Sequence, residues 1–198
     1  MKKCRYCCAE NPDEARFCGN CGHPFATSEL TRFFPIANVL LGHTTVAQAR
    51  ANPLLKREII GGQYEIFNYG KNCTFHIHHG IIDDFYINHP APLMSKFAEF
   101  GFSWENSYEQ WIRLLKSMDY ELWITNEPEL VRSYRTHSPC LSARFIAIAP
   151  DNSVFLDYEF YDGARGNDTT SPGTLDYISF FIDKSTLADF RDITKYKL

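Results

Sequence analysis

Apolar and polar residues alternate along much of the chain, which is the pattern that half-buried β-strands require. The alternation predicts strands at residues 63–69, 73–79, 81–88, 120–125, 142–149, 154–161 and 174–182. Short turn signals separate several of these segments, and His79-Gly80 is a two-residue hairpin signal between two of them. Because short turns join antiparallel neighbours, we expect an antiparallel sheet.

Two segments carry apolar residues at helical spacing instead. Residues 107–118 are the clearer one, with Trp111 on the apolar stripe. A shorter helix follows Thr44 or Thr45, either of which can cap it, and Gln48 can complete a capping box with Thr45. Each predicted helix precedes a group of strands.

These elements follow one another in the order helix, three strands, helix, then three or four strands, with a closing helix expected at 184–192. Helices segregated to one face of an antiparallel sheet make a two-layer α+β domain. We expect this domain to span residues 33–198, after a small zinc ribbon at 1–25 and a polar linker at 26–32.

Two C-x-x-C pairs stand in the ribbon, Cys4 with Cys7 and, ten residues later, Cys18 with Cys21. Zinc binds four thiolates in a tetrahedron, and two such turns close its coordination shell. We therefore predict one structural zinc ion on these four cysteines, with no open position for catalysis. A segment this short cannot bury enough surface to fold alone, so the metal supplies the folding free energy.

The ribbon resembles the short zinc ribbons at the N-terminus of many bacterial proteins. The matching residues are Cys4, Cys7, Asp13, Phe17, Cys18, Cys21 and Gly22. The chain departs from that pattern at Cys8, where the family usually has glycine. Cys8 and His23 are therefore alternative ligands, although the paired arrangement is preferred.

The order of elements in the larger domain is similar to the tandem αβββ repeat of beta-lactamase-inhibitor-like proteins and their lipoprotein relatives. Residues 41–47 carry the likeness in the first unit and residues 107–111 in the second, and it covers residues 33–182. The resemblance implies that the sheet face without helices, often concave, binds a protein partner.

Alternation also assigns side chains to the two faces of the sheet. Phe75, Ile77, Ile81 and Phe85 are expected to point toward the helices, and Ile82 away from them. The side chains expected on the other face, here called the open face, include His76, His78, Asp84, Tyr86, Phe155, Asp157, Glu159 and Tyr161. Aromatic groups among polar ones are typical of recognition surfaces, so we expect a protein partner there. The alternative is an ordinary solvated face.

Charge and cysteine usage narrow the class of protein. The net charge is −4 with a pI near 6.0, whereas nucleic-acid-binding domains usually have a basic surface. Residues 1–25 carry +1, which leaves −5 on the rest of the chain and favours a basic or neutral partner surface. Seven cysteines fit metal binding in a reducing compartment better than a disulfide framework, so we expect a cytoplasmic protein without a membrane span.

Two other functions remain open at this stage. A metal-dependent hydrolase could use His76 and His78 with Cys73 or Asp84 nearby. A nucleic-acid-associated regulator could use the ribbon instead. Since the chain has no G-x-S-x-G or H-E-x-x-H motif, the preferred interpretation is a non-catalytic adaptor. The sequence does not predict the oligomeric state.

Overall fold

The structure is a computed structural model that describes residues 1–3, 9–12, 15, 18–20, 28–132, 137, 139–150, 155–160 and 175–182. Within these residues the protein has an α+β fold, with a mostly antiparallel sheet and few helices, as predicted. The closing helix expected at 184–192 lies outside the described residues. No helix in the described part has the length and apolar character that a membrane span requires.

The described elements form a small hairpin, a large sheet and four short helical segments. The hairpin pairs β1 (Lys2–Lys3) with β2 (Glu10–Asn11). The strands of the large sheet are β3 (Lys56–Ile60), β4 (Tyr64–Asn68), β5 (Cys73–His78), β6 (Ile81–Asn88), β7 (Glu121–Arg132), β8 (Pro139–Ile148), β9 (Phe155–Phe160) and β10 (Leu175–Phe181). The helical segments are α1 (Ser28–Phe33), α2 (Val46–Ala51), a 3₁₀ helix (Pro92–Phe100) and α3 (Tyr108–Ser117).

The large sheet joins the two halves of the chain through its last strand. Among the described residues its order is β3-β4-β5-β6-β10-β9-β8-β7, and every pair is antiparallel. Strand β10 lies between β6 and β9, with Ser179 opposite Tyr86 on one side and opposite Asp157 on the other. The sheet is therefore continuous from β3 at one edge to β7 at the other.

Both predicted helices begin where their capping residues indicated. Thr45 accepts from the backbone N–H of Gln48, whose side chain accepts from the backbone N–H of Thr45. Ser107 and Gln110 form the same reciprocal pair at the start of α3. Each capping box satisfies two backbone donors that the first helical turn leaves without partners.

One hydrophobic core lies between the helices and a single face of the sheet. Trp111 and Leu115 of α3 belong to the same buried cluster as Phe75, Phe85 and Leu156 of the sheet. Trp111 is fully buried, with its ring centroid 4.8 Å from that of Phe102 and 5.1 Å from that of Tyr158. The described helices therefore cover one face. On the other, the open face, residues of β5 and β6 are partly exposed, whereas every residue of β10 is buried.

Strand β3 was not predicted. All five of its residues are exposed, so no alternation between buried and exposed positions marks it in the sequence. The first half of the chain thus holds four strands where three were expected. Strand β7 likewise extends to Arg132, beyond its predicted end at 125.

The prediction that Ile82 faces away from the core is wrong. Ile77 pairs with Ile82, whereas its neighbour His76 pairs with Asp84, so Asp83 is an extra residue in β6. Such a β-bulge breaks the two-residue alternation of the strand. Ile82 is consequently fully buried in the core cluster, and the strict alternation used for Ile81 and Ile82 does not hold at the start of β6.

Candidate functional site

The described part of the ribbon shows how one predicted zinc ligand is held. Cys18 is buried, and the side-chain amide of Asn11 donates to its Sγ at 3.6 Å. The Oδ1 atom of Asn11 in turn accepts from the backbone N–H of Gly19 at 2.8 Å. A donor directed at the sulfur fits a thiolate that binds metal, because outer hydrogen bonds orient such ligands.

The other predicted zinc ligands, Cys4, Cys7 and Cys21, lie outside the described residues, as do the alternatives Cys8 and His23. The zinc site therefore stays a prediction. Among the described residues, no three His, Cys, Asp or Glu side chains are grouped so that they could hold a metal ion.

On the open face, β5, β6 and β10 bring a row of rings together. The ring centroids of His76 and Tyr86 are 4.7 Å apart, and those of Tyr86 and Tyr177 are 5.9 Å apart. His76 and Tyr86 come from adjacent strands, and Tyr177 comes from β10 on the far side of β6. The three rings therefore form one row across three strands, which we call the ring row. His76 and Tyr86 are half-buried, whereas Tyr177 is buried, with 7% exposed.

Asp84 lies beside the ring row and is buried rather than solvated. Only 8% of the residue is exposed, and its Oδ1 accepts from the Ser179 hydroxyl at 2.8 Å. Burial, with a smaller contribution from the nearby Asp83 carboxylate, raises the pKa of Asp84 to about 7. Hydrogen bonds from Ser179 and Tyr86 and the charge of His78 oppose that increase.

His78 marks the exposed end of the same face. Its Nδ1 lies 2.7 Å from Oδ1 of Asp83, the bulge residue, whose side chain is almost fully buried, whereas that of His78 is 54% exposed. The neighbouring His76 is half-buried, and burial, together with His78, holds the pKa of His76 below its ordinary value. The bulge therefore gives His78 a fixed acidic partner.

Cys73 does not join the two histidines. Its side chain belongs to the core cluster on the helical side of the sheet, where burial raises the pKa of the thiol to about 12. The thiol therefore faces away from His76 and His78, which lie on the open face. The hydrolase interpretation therefore loses one of the two additional ligands considered for His76 and His78.

The structure brings together four of the predicted partner-binding residues and leaves the other four undecided. His76, His78, Asp84 and Tyr86 share the open face of β5 and β6. The others are Phe155, Asp157 and Glu159, for which the structure describes only the backbone, and Tyr161, which lies outside the described residues. In β9, Asp157 is opposite Ile146, and Glu159 is opposite Arg144.

Sequence reasoning missed Tyr177, Ser179 and Asp83. The strand at 174–182 was predicted, but its neighbours in the sheet were not. The position of β10 beside β6 is what brings the Ser179 hydroxyl to Asp84. A signal for Asp83 was present in the sequence, because Asp83 and Asp84 are adjacent inside an apolar strand. In a regular strand, neighbouring side chains point to opposite faces, so one of the two aspartates would have to face the core.

A separate small cleft opens at the helical side of β5. It has a volume of about 280 Å³ and is lined by Tyr69, Lys71, Cys73 and Lys96, among others. The ammonium group of Lys96 lies 5.8 Å from the ring centroid of Tyr69. The cleft is on the opposite side of the sheet from the ring row, so the two are independent features.

Comparison of the chain with family models, curated proteins and solved structures finds no match.

Proposed function

We propose that the protein is a cytoplasmic, non-catalytic adaptor that binds a protein partner on the open face of its sheet. A structural zinc ion on Cys4, Cys7, Cys18 and Cys21 would hold the N-terminal ribbon. The observation that carries the proposal is the ring row, in which the partly exposed rings of His76 and Tyr86 are in contact on the sheet face that no described helix covers, with the buried Tyr177 behind Tyr86.

The ring row suits recognition because its side chains are already ordered. His76 and Tyr86 stand on paired strands, in contact and half-buried, so little side-chain entropy remains to be lost on binding. Tyrosine supplies a large contact area with a polar end, and such residues frequently dominate binding energy. The exposed imidazole of His78 extends the surface toward the β5–β6 turn.

Charge indicates the kind of partner. Outside the ribbon the chain carries −5, so a basic or neutral partner surface would approach without net repulsion. For the ribbon, support comes from the Asn11 amide that donates to Cys18 Sγ, since a thiolate bound to zinc accepts such a bond.

We also propose that the main domain is built from two related αβββ units. Each half contains a helix opened by a Ser/Thr–Gln capping box and followed by antiparallel strands. The additional strand β3 would then be an extension of the first unit.

The test of partner binding replaces two tyrosines of the proposed surface. The full chain would be immobilised, partners captured from the source cell would be identified by mass spectrometry, and each purified partner would be titrated against the variants. Tyr86→Ala combined with Tyr161→Ala should abolish binding while the circular dichroism spectrum is retained. Tyr69→Ala is the matched control, because Tyr69 lines the cleft on the other side of the sheet.

If the double variant binds the same partners with unchanged affinity, the open face is not the binding surface. Metal counting addresses the enzyme alternative, for which the His78–Asp83 pair is the favourable observation. One zinc per chain supports the adaptor, and two would favour an enzyme. Salt-sensitive retention on nucleic acid would favour the regulator.

A further inference from the structure

Exposed apolar side chains are concentrated at the β3 edge of the sheet. Of the six large hydrophobic residues exposed in the described part of the chain, four lie between positions 54 and 64: Leu54, Ile59, Ile60 and Tyr64. Ile59 and Ile60 are about half exposed although they stand in a strand, and Tyr64 is 71% exposed. An edge strand of this kind offers both apolar surface and unpaired backbone groups to another chain.

The opposite edge of the sheet is protected in ways that β3 is not. Strand β7 contains Pro128, which has no backbone N–H to donate, and exposed carboxylates at Glu127 and Glu129. Its register with β8 also shifts twice, whereas β3 pairs with β4 without interruption. Strand β7 does expose Leu130, but proline and bulges prevent edge pairing, and β3 has neither, although it carries charged residues at 56–58.

We propose that β3 pairs antiparallel with β3 of a second copy of this chain, about a two-fold axis, so that one sheet continues across both copies. This inference goes beyond the proposed function, because it assigns a partner to an edge that the adaptor proposal does not use. A two-fold contact buries the same strand from each copy and closes on itself, so it does not propagate into a filament.

Symmetry restricts the register of this pairing. An axis that relates two antiparallel edge strands stands perpendicular to the sheet, so side chains opposite each other point to the same face. Glu58 is on the open face, because its carboxylate accepts from the Asn68 amide at 2.7 Å. Arg57 is on the helical face, where it contacts Glu65 together with Arg50 of α2. An axis between two neighbouring residues would place side chains of different faces opposite each other, as with Arg57 and Glu58. The axis must therefore pass beside a single residue, which then lies opposite its own copy.

An axis through Arg57 gives a self-complementary contact. Lys56 of one copy then lies opposite Glu58 of the other, twice over, with both on the open face. Leu54 and Leu55 lie in the turn that precedes β3, so the segment paired in this register is Lys56–Glu58 of each copy. Opposite charges directly across from each other are among the cross-strand combinations that stabilise antiparallel sheets.

Alternative registers are less favourable. An axis through Glu58 sets two carboxylates opposite each other, and an axis through Ile59 sets Arg57 opposite Gly61. In the preferred register the two Arg57 side chains meet, and in each copy Arg57 shares the Glu65 carboxylate with Arg50, which offsets part of their repulsion. Hydrogen bonding from Arg50, with that from Arg57, lowers the pKa of Glu65 to about 2, so this carboxylate remains charged.

The test exchanges the charges of the paired positions in the full chain, in reducing buffer so that the cysteines cannot link two copies. Sedimentation equilibrium would measure self-association of the parent, Lys56→Glu, Glu58→Lys and the double exchange. Each single variant puts like charges opposite each other twice, and it should weaken the dimer roughly tenfold. The double exchange should restore the parent affinity. A mixture of the two single variants should also associate, because their strands are complementary.

Glu129→Lys is the matched control on the opposite edge, and it should leave self-association unchanged. The proposal is overturned if the parent sediments as a monomer at every concentration. It is also overturned if the single variants associate as well as the parent, or if the double exchange and the mixture fail to recover. Capture of a different protein by the open face would be unaffected by any of these results.

Discussion

Replacing Asp84 with asparagine should make the stability of the protein less dependent on pH. The residue is 8% exposed, its carboxyl group accepts from the Ser179 hydroxyl, and burial raises its pKa to about 7. An unfolded aspartate has a pKa near 3.9. Between pH values of about 4 and 7 the folded state therefore holds a proton that the unfolded state has lost.

The direction of the effect follows from that difference in bound protons. Stabilisation by protonated Asp84 is complete below about pH 4 and is lost as the pH rises through the folded-state pKa near 7. At about 1.4 kcal/mol for each pH unit in this window, the free energy of unfolding of the parent falls by up to about 4 kcal/mol. Asparagine can accept the same bond from Ser179 without ionising, so Asp84→Asn removes this loss.

The titration of His76 changes the stability in the opposite direction, so its contribution must be separated from that of Asp84. Its pKa is held below the ordinary value by burial and by His78, so the folded state binds fewer protons than the unfolded state in mildly acidic solution. The free energy of unfolding attributable to His76 therefore rises toward neutral pH. Because parent and variant share His76, its contribution cancels to first order in their difference.

Urea denaturation of both proteins from pH 5 to pH 8 measures that difference. We expect the stability of Asp84→Asn, relative to the parent, to increase from pH 5 to about pH 7 and then to level off. Asp119→Asn is the control, because Asp119 is exposed and its positive φ is one that asparagine tolerates. A stability difference between Asp84→Asn and parent that stays constant from pH 5 to pH 8 would refute the reasoning.

Three further changes probe the core, a close backbone contact and the ribbon. Trp111→Ala empties a fully buried site against Tyr158 and should destabilise the protein by about 3–5 kcal/mol in urea denaturation; a loss below about 1 kcal/mol would contradict the core packing. Gly42→Ala should cost roughly 2–4 kcal/mol, since its φ of 71° is left-handed and an added Cβ would collide with the side chain of Ile182; an unchanged thermal midpoint would show that this segment adjusts. Cys18→Ser should remove the one zinc ion per chain while the main domain remains folded, and elemental analysis that finds no zinc in the reduced parent would disprove the ribbon site.

The sequence predicted the fold class because its strongest signals are local. The alternation in β5 and the apolar stripe of α3 each depend on neighbouring residues, and both capping boxes could be recognised from a Ser/Thr and a Gln three positions later. The positions of Phe75 and Trp111 in the core were predictable for the same reason.

The remaining features depend on contacts between distant residues. Strand β3 has no buried face of its own, and only its pairing with β4 makes it a strand. The bulge at Asp83 depends on how β6 pairs with β5, and it reverses the orientation of Ile82 relative to a regular strand. The orientation of Ile82 was therefore predicted wrongly. The burial of Asp84 depends on β10, which lies about 95 positions away in sequence at Ser179. Such contacts leave no short-range pattern.

The central claim is that the open face binds a protein partner, and covalent footprinting of histidines tests it most directly. His78 belongs to the proposed surface, with its side chain 54% exposed, whereas His137 is an exposed residue outside that surface. Both would be labelled with diethyl pyrocarbonate in the free protein and in the purified complex, and quantified by tandem mass spectrometry. The account predicts that partner binding strongly reduces labelling of His78 and leaves His137 unchanged. Equal labelling of His78 in the free and bound protein would contradict it.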